Sequence, residues 1–198
     1  MLSLLFMFKI AFAKLDNVTV TSPHNCELEQ LFGDLSINGR PFVITTTGTV
    51  GQALFVGDAR FGCQISFKYK VPSDEYTGWS DLNALLDTEG GGTMLANFVS
   101  DPEDYTRVDF LDSNFMIRFK LNRNKEGRFR FGSNIGEVTT EMLTQQLVEG
   151  ANVSVITKVG MYVNKKDKKC GIFFTILDLD FDVPKTPVAT KLSKRRHG

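Results

Sequence analysis

Residues 64–71, Gln-Ile-Ser-Phe-Lys-Tyr-Lys-Val, alternate without a break. In an extended chain Ile65, Phe67, Tyr69 and Val71 fall on one side, and Ser66, Lys68 and Lys70 on the other. A helix would scatter both sets round its circumference. The pattern therefore asks for a sheet with one dry and one wet face. It returns at 115–121 (FMIRFKL), where Arg118 and Lys120 share a side, and at 128–131 (RFRF), where Arg128 and Arg130 do. Short β-branched runs at 18–21 and 41–47 add strand signals. Residues 153–163 and 171–181 read as two longer strands, joined through the polar turn Asn164-Lys165-Lys166-Asp167-Lys168-Lys169 as a hairpin.

Helix signals are few. Residues 26–32 (CELEQLF) and 79–87 (WSDLNALLD) are each expected to form a short helix, the second stopped by the glycines at 90–92. The strongest lies at 138–148, with Val138, Met142, Leu143 and Leu147 at helical spacing, Thr139 or Thr140 as cap and Gly150 as stop. The glycine-rich segment 88–93 is expected to be a loop. It lacks the Lys-Ser/Thr that a phosphate-cradling loop needs, since Thr93-Met94-Leu95 follows.

The expected order is several strands, one helix and a final hairpin: a mainly β fold. A chain of 198 residues with 42% hydrophobic and 23% charged residues fits one globular domain, here 1–184, ending in a basic tail at 185–198. At the N-terminus, Ala11-Phe12-Ala13 matches a signal-cleavage pattern. No cation precedes the apolar run, however, and Lys9 interrupts it, so a first strand bearing Phe8, Ile10 and Phe12 is favoured. No stretch approaches the ~20 apolar residues of a membrane span, and no membrane partner is expected.

Three cysteines, Cys26, Cys63 and Cys170, and two histidines, His24 and His197, give no metal-site spacing. An odd, sparse cysteine count favours a reducing, intracellular compartment. The Asn17 and Asn152 sequons are read as incidental. Histidine scarcity also weakens nucleophilic catalysis: His24 and Cys26 lie only two residues apart in a loop. The acids at 101–112 lack the spacing of a calcium loop. We therefore expect no enzyme and no cofactor.

Charge is segregated beneath a net charge of zero. Residues 71–112 carry one Lys/Arg and ten Asp/Glu, whereas residues 113–170 carry eleven and five. The later part also interleaves cations with aromatics. If the alternating strands are neighbours, Lys68, Lys70, Arg118, Lys120, Arg128 and Arg130 make one basic face. Such a face with aromatic platforms tracks a single nucleic-acid strand, phosphates on cations and bases on rings. The stacking candidates are Tyr69, Phe129 and Tyr162, with Trp79 a further one. An ordinary hydrated outer face explains the alternation equally well; the charge segregation tips the balance.

The stretch Glu149-Gly150-Ala151-Asn152-Val153-Ser154-Val155, then Gly160-Met161-Tyr162-Val163, Lys165-Lys166, Lys168-Lys169, Gly171-Ile172-Phe173-Phe174 and Leu177 resembles the end of an OB-fold single-stranded DNA-binding protein of phage or large-DNA-virus type. The likeness covers residues 137–181 and is a pattern of residue classes. It implies an OB-fold-like five-stranded antiparallel barrel, with one helix before the final hairpin and the acidic 72–112 as an elaboration. It also implies coating of single-stranded DNA in replication or recombination, without catalysis. Tyr162, Lys165, Lys166, Lys168 and Lys169 would be the matching hairpin positions. Replication proteins, a second copy of the chain and RNA are the further partners to consider. One departure is plain: such proteins commonly end in an acidic tail, and this chain ends Lys191-Leu192-Ser193-Lys194-Arg195-Arg196-His197-Gly198. That tail fits contact with nucleic acid, a nuclear address or a solvated terminus. The rival reading is a β-sandwich coat or assembly subunit of a virus.

Overall fold

The computed structural model describes residues 15–27, 29–56, 65–121 and 139–181. The N-terminal strand or signal, the Arg128-Phe129-Arg130 strand and the basic tail lie outside the described residues.

The fold is mainly β, and among the described residues ten strands join in one sheet. They are β1 (Val18–Val20), β2 (His24–Glu27), β3 (Gln30–Ile37), β4 (Arg40–Pro41), β5 (Val43–Val56), β6 (Ile65–Lys70), β7 (Thr106–Val108), β8 (Met116–Leu121), β9 (Asn152–Asn164) and β10 (Lys169–Phe181). Helices α1 (Tyr76–Asn83) and α2 (Glu89–Ala96) stand between β6 and β7, and α3 (Thr140–Gln146) precedes β9. The acidic elaboration thus holds α1, α2 and β7.

The longest strand signals are realised. β9 and β10 pair antiparallel along their length, from Lys169↔Asn164 to Phe181↔Val153, around the lysine turn. β6 pairs with β8, placing Phe67 opposite Phe119 and Lys68 opposite Arg118. The first 7 residues of β5 pair with β9 (Val43↔Lys158 to Thr49↔Asn152). Its later residues cross to β6, through two register shifts. β3 pairs with the other end of β9, from Gln30↔Asn164 to Asp34↔Gly160. All these neighbours are antiparallel; among the described residues only β7 runs parallel, along the start of β10. Among the described residues no ladder joins β8 to β10, and the sheet stays open rather than closing into a ring.

One side of this curved sheet is dry. Leu35, Ile44, Ile65, Phe67, Tyr69, Ile117, Phe119, Val155 and Val159 are all at most 1% exposed. Each such side chain contributes about 1.5–3 kcal/mol by leaving water. Helix α3 adds Leu143 and Leu147 to this core; Thr139 caps it by accepting from Met142 N at 3.2 Å, and Gly150 follows at φ +84°. These are the cap and stop expected from the sequence.

Two local expectations fail. Where a helix is expected at 26–32, Cys26 and Glu27 belong to β2 and Gln30, Leu31 and Phe32 to β3, with His24↔Phe32 and Glu27↔Gln30 paired. Two turns of helix are weak alone, and the ladder from β3 to β9 overrides them. The glycine-rich 88–93 is not a loop either. Thr88 Oγ1 accepts from Gly91 N at 3.1 Å and caps α2. Gly91 is buried where a Cβ would collide with the backbone of Leu85 and Leu86, so a helix can pack there only through glycine. The helix expected at 79–87 starts earlier, at Tyr76, and ends in a 3-10 turn at Leu85–Asp87.

Candidate nucleic-acid interface

On the wet side, β6 and β8 present Lys68, Arg118 and Lys120, as their alternation requires. Across the opening between β8 and β10, Phe173 of β10 and Tyr162 of β9 face the same way. Between them runs a groove of about 840 Å³, whose walls include Lys68, Arg118, Lys120, Phe32, Tyr162 and Phe173.

The rings are held flat by glycines. Tyr162 pairs with Gly171, and Phe173 with Gly160. A Cβ on Gly171 would come within 2.9 Å of the Tyr162 ring, and one on Gly160 would collide with the Phe173 ring. Each aromatic thus lies over a bare cross-strand glycine. Phe32, opposite Tyr162 on β3, meets Phe173 edge to face at a centroid distance of 5.5 Å. The three rings form a half-buried platform. Burial, with the nearby Cys170 adding to it, raises the Tyr162 phenol above its ordinary pKa, so it stays a neutral donor.

The cations are partly engaged. Lys68 Nζ lies 2.9 Å from Asp112 Oδ2. Arg118 donates to Ser66 Oγ at 3.2 Å. Lys158, on the platform's side of β9, is paired with Asp34 at 2.8 Å. Asp112 Oδ1 also accepts from the Asn114 and Met116 N–H groups. Burial opposes ionisation of Asp112, but the Lys68 contact and these two N–H groups prevail and hold its carboxyl below the usual range. Asp109 lines the groove as well, which tempers its positive charge.

The remaining expected residues fall in different places. Lys70 is exposed on the same face of β6 but belongs to a neighbouring cleft. Lys165, Lys166, Lys168 and Lys169 are exposed on the hairpin turn, which starts at Asn164 on the groove wall. Lys168 is paired with Asp104 at 2.7 Å, which raises its pKa. The acidic elaboration therefore reaches two of the expected phosphate-binding lysines, through Asp104 and Asp112.

Tyr69 is not a stacking platform. It is fully buried, packed on Phe119 at a centroid distance of 5.6 Å, with its hydroxyl against Thr46 Oγ1. That burial raises its pKa. Its place in the alternation, beside Phe67, already puts it on the dry side. Trp79 is likewise buried, donating from Nε1 to Glu75 Oε2 at 3.1 Å and meeting Phe174 edge-on. Arg128, Phe129 and Arg130 lie outside the described residues. Sequence reasoning missed Phe32 and the role of Phe173. The cross-strand glycine–aromatic pairs were the available signal, once the hairpin register was known.

Among the described residues no group of three or more His, Cys, Asp and Glu is placed to hold a metal ion. No helix there is long and apolar enough to cross a membrane. No family model matches the chain, and no curated protein or solved structure matches it either.

Proposed function

We propose that this protein binds single-stranded DNA with little sequence preference, along the groove between the β6–β8 cations and the Phe32–Tyr162–Phe173 platform. The observation that carries the reading is that juxtaposition: three cations and three rings, two of the rings laid over cross-strand glycines, line one groove. Phosphates neutralised by Lys68, Arg118 and Lys120 would make binding salt-dependent. Bases laid on the rings would contribute about 1–3 kcal/mol each, with no demand on base identity.

The strand order supports an OB-like core within the larger sheet. β5, β6 and β8 form a meander, α3 follows, and the β9–β10 hairpin returns to pair β9 with β5. In a barrel of this kind the remaining contact would join β8 to β10. Here Phe119 and Phe174 meet across that opening at 5.7 Å, without a ladder. In OB folds the outer face of the second and third strands, with the last hairpin turn, is where oligonucleotides bind. Those correspond to β6, β8 and the lysine turn, in a role suited to replication or recombination. The coat-subunit reading wants a broad apolar contact surface. The large apolar side chains standing exposed among the described residues are Val108, Met142 and Val148, too few to make one.

The test is fluorescence-anisotropy titration of labelled oligo-dT, matched duplex and RNA at two salt concentrations. The expected result is preference for oligo-dT over duplex, with Tyr162→Ala or Phe173→Ala each weakening it about 5- to 150-fold. Lys68→Ala should reduce the salt slope by about 0.7. No binding, or equal binding to all three polymers, would overturn the proposal.

A further inference from the structure

A second cleft of about 490 Å³ opens beside the groove and shares Met116 with it as a wall. Lys70 lines this cleft, two residues along β6 from Lys68 and on the same face. Tyr76 and Phe115 line it too, their rings stacked with centroids 3.9 Å apart and planes 14° from parallel. Both rings are half-buried.

The backbone beneath Phe115 is unusual. Its φ is +54°, a left-handed conformation that costs a bulky residue free energy. The turn that imposes it is fastened on both sides. Asp112 O accepts from Phe115 N at 2.9 Å, and Phe115 O accepts from Val71 N at 3.0 Å. Asparagine or glycine would hold this turn with less strain. The ring on Phe115 and its stack on Tyr76 are what the chosen residue adds. Gly51, also lining the cleft, lets the Met116 side chain lie over it: a Cβ there would run into Met116 Sδ. Among the described residues, Lys70 is the sole cation lining the cleft, and Glu149 the sole acid.

We propose that this cleft is a second nucleotide subsite, taking the next base of a strand already lying in the groove against the Tyr76–Phe115 pair, with the adjoining phosphate on Lys70. The inference rests on the single-strand reading and deepens it. Glu149 disfavours a phosphate on its own side, so the phosphate is directed to Lys70.

The subsite is tested by length-dependent anisotropy with a dT tetramer and a dT dodecamer, on the full chain and on Phe115→Gly, Tyr76→Leu and Lys70→Ala. Phe115→Gly removes the ring while accepting the positive φ without strain. The expected result is a dodecamer affinity lowered about 5- to 150-fold by either ring variant, with the tetramer unchanged. Dodecamer affinity within twofold of the unaltered chain in both ring variants would overturn the subsite and leave the groove reading standing. Failure of the unaltered chain to bind either oligomer would overturn both. Photocrosslinking of 5-iodouracil-substituted dodecamer to the unaltered chain gives an arm free of any folding defect. Adducts on Tyr76 or Phe115 support the subsite, and adducts confined to Phe32, Tyr162 and Phe173 overturn it.

Discussion

Replacing Glu75 by leucine should expose how the fold tolerates an acid in its core. Glu75 is 2% exposed, and its Oε2 accepts from Trp79 Nε1 and from the Thr46 hydroxyl. Thr46 also faces the Tyr69 hydroxyl, so it keeps a partner when the carboxylate is removed. The indole N–H does not. An orphaned buried donor costs about 1–3 kcal/mol, and a hydrogen bond contributes about 0.5–1.5 kcal/mol net. Against this, leucine removes the cost of burying the polar carboxyl group, of about 1–3 kcal/mol. The orphaned donor adds to the two lost hydrogen bonds, together they exceed that gain, and we expect Glu75→Leu to lose about 1–3 kcal/mol. At this chain length that is a fall in Tm of about 2–12 °C. Glu75→Gln, which still offers an oxygen to the indole, should lose less. The decisive comparison is a cycle with Trp79→Phe, which removes the donor. The double variant should be more stable than the sum of the singles by about 1–3 kcal/mol. Urea unfolding followed by far-UV circular dichroism measures all four proteins, with an unchanged m-value as the check on two-state behaviour. Trp79 is the sole tryptophan, so its emission reports the same site directly in the Glu75 variants. Strict additivity, or a Glu75→Leu protein as stable as the parent, would refute the reasoning.

Two neighbouring glycines should respond oppositely to alanine. Gly92→Ala meets nothing within 4 Å and should stabilise α2 by about 0.5–1 kcal/mol, whereas Gly91→Ala collides with the backbone of Leu85 and Leu86 and should destabilise despite its better helix propensity; thermal melts distinguish them. Asp112→Asn should release Lys68 and tighten oligo-dT binding at low salt, read by the same anisotropy titration. Because the folded state lowers the Asp112 pKa, its contribution to stability is complete above the unfolded value of about 4 and is lost as pH falls through the folded value. Acid unfolding of Asp112→Asn should lack that component.

The alternating strands were legible because period two is unambiguous once β-branched and aromatic residues fill it. Ile65, Phe67, Tyr69, Ile117 and Phe119 all point where the pattern sends them. That same pattern excludes Tyr69 from the wet face, which its chemistry alone had invited. Helix α3 was legible from Thr139 and Gly150, since caps are local chemistry. The signals that failed were those whose meaning depends on distant partners. Residues 30–32 have helical spacing with 26–28 but are claimed by β9, far away in sequence. Asn38-Gly39, both at positive φ, is a two-residue hairpin turn between β3 and β4 that the local sequence did announce and the reading overlooked. In the site, Lys68, Arg118, Lys120 and Tyr162 were legible as residue types on faces. Phe32 was not, because only the β3–β9 register puts it beside Tyr162.

The central position of β9 has a consequence for how the molecule comes into being. This one strand accepts β10 along one edge and both β3 and β5 along the other. Its partners on that second edge precede it by more than a hundred residues of chain, as Thr49↔Asn152 and Gly33↔Met161 show. Contacts so remote must overcome a large closure entropy before any of them is rewarded, which makes folding slow for a domain of this size. During synthesis β3 and β5 emerge long before the strand that completes them, and they wait with open edges able to pair with another chain. The β9–β10 hairpin, by contrast, can form as soon as it is made. Productive folding then amounts to a later-made hairpin docking onto segments made long before it. A chain halted before Asn152 should aggregate rather than fold.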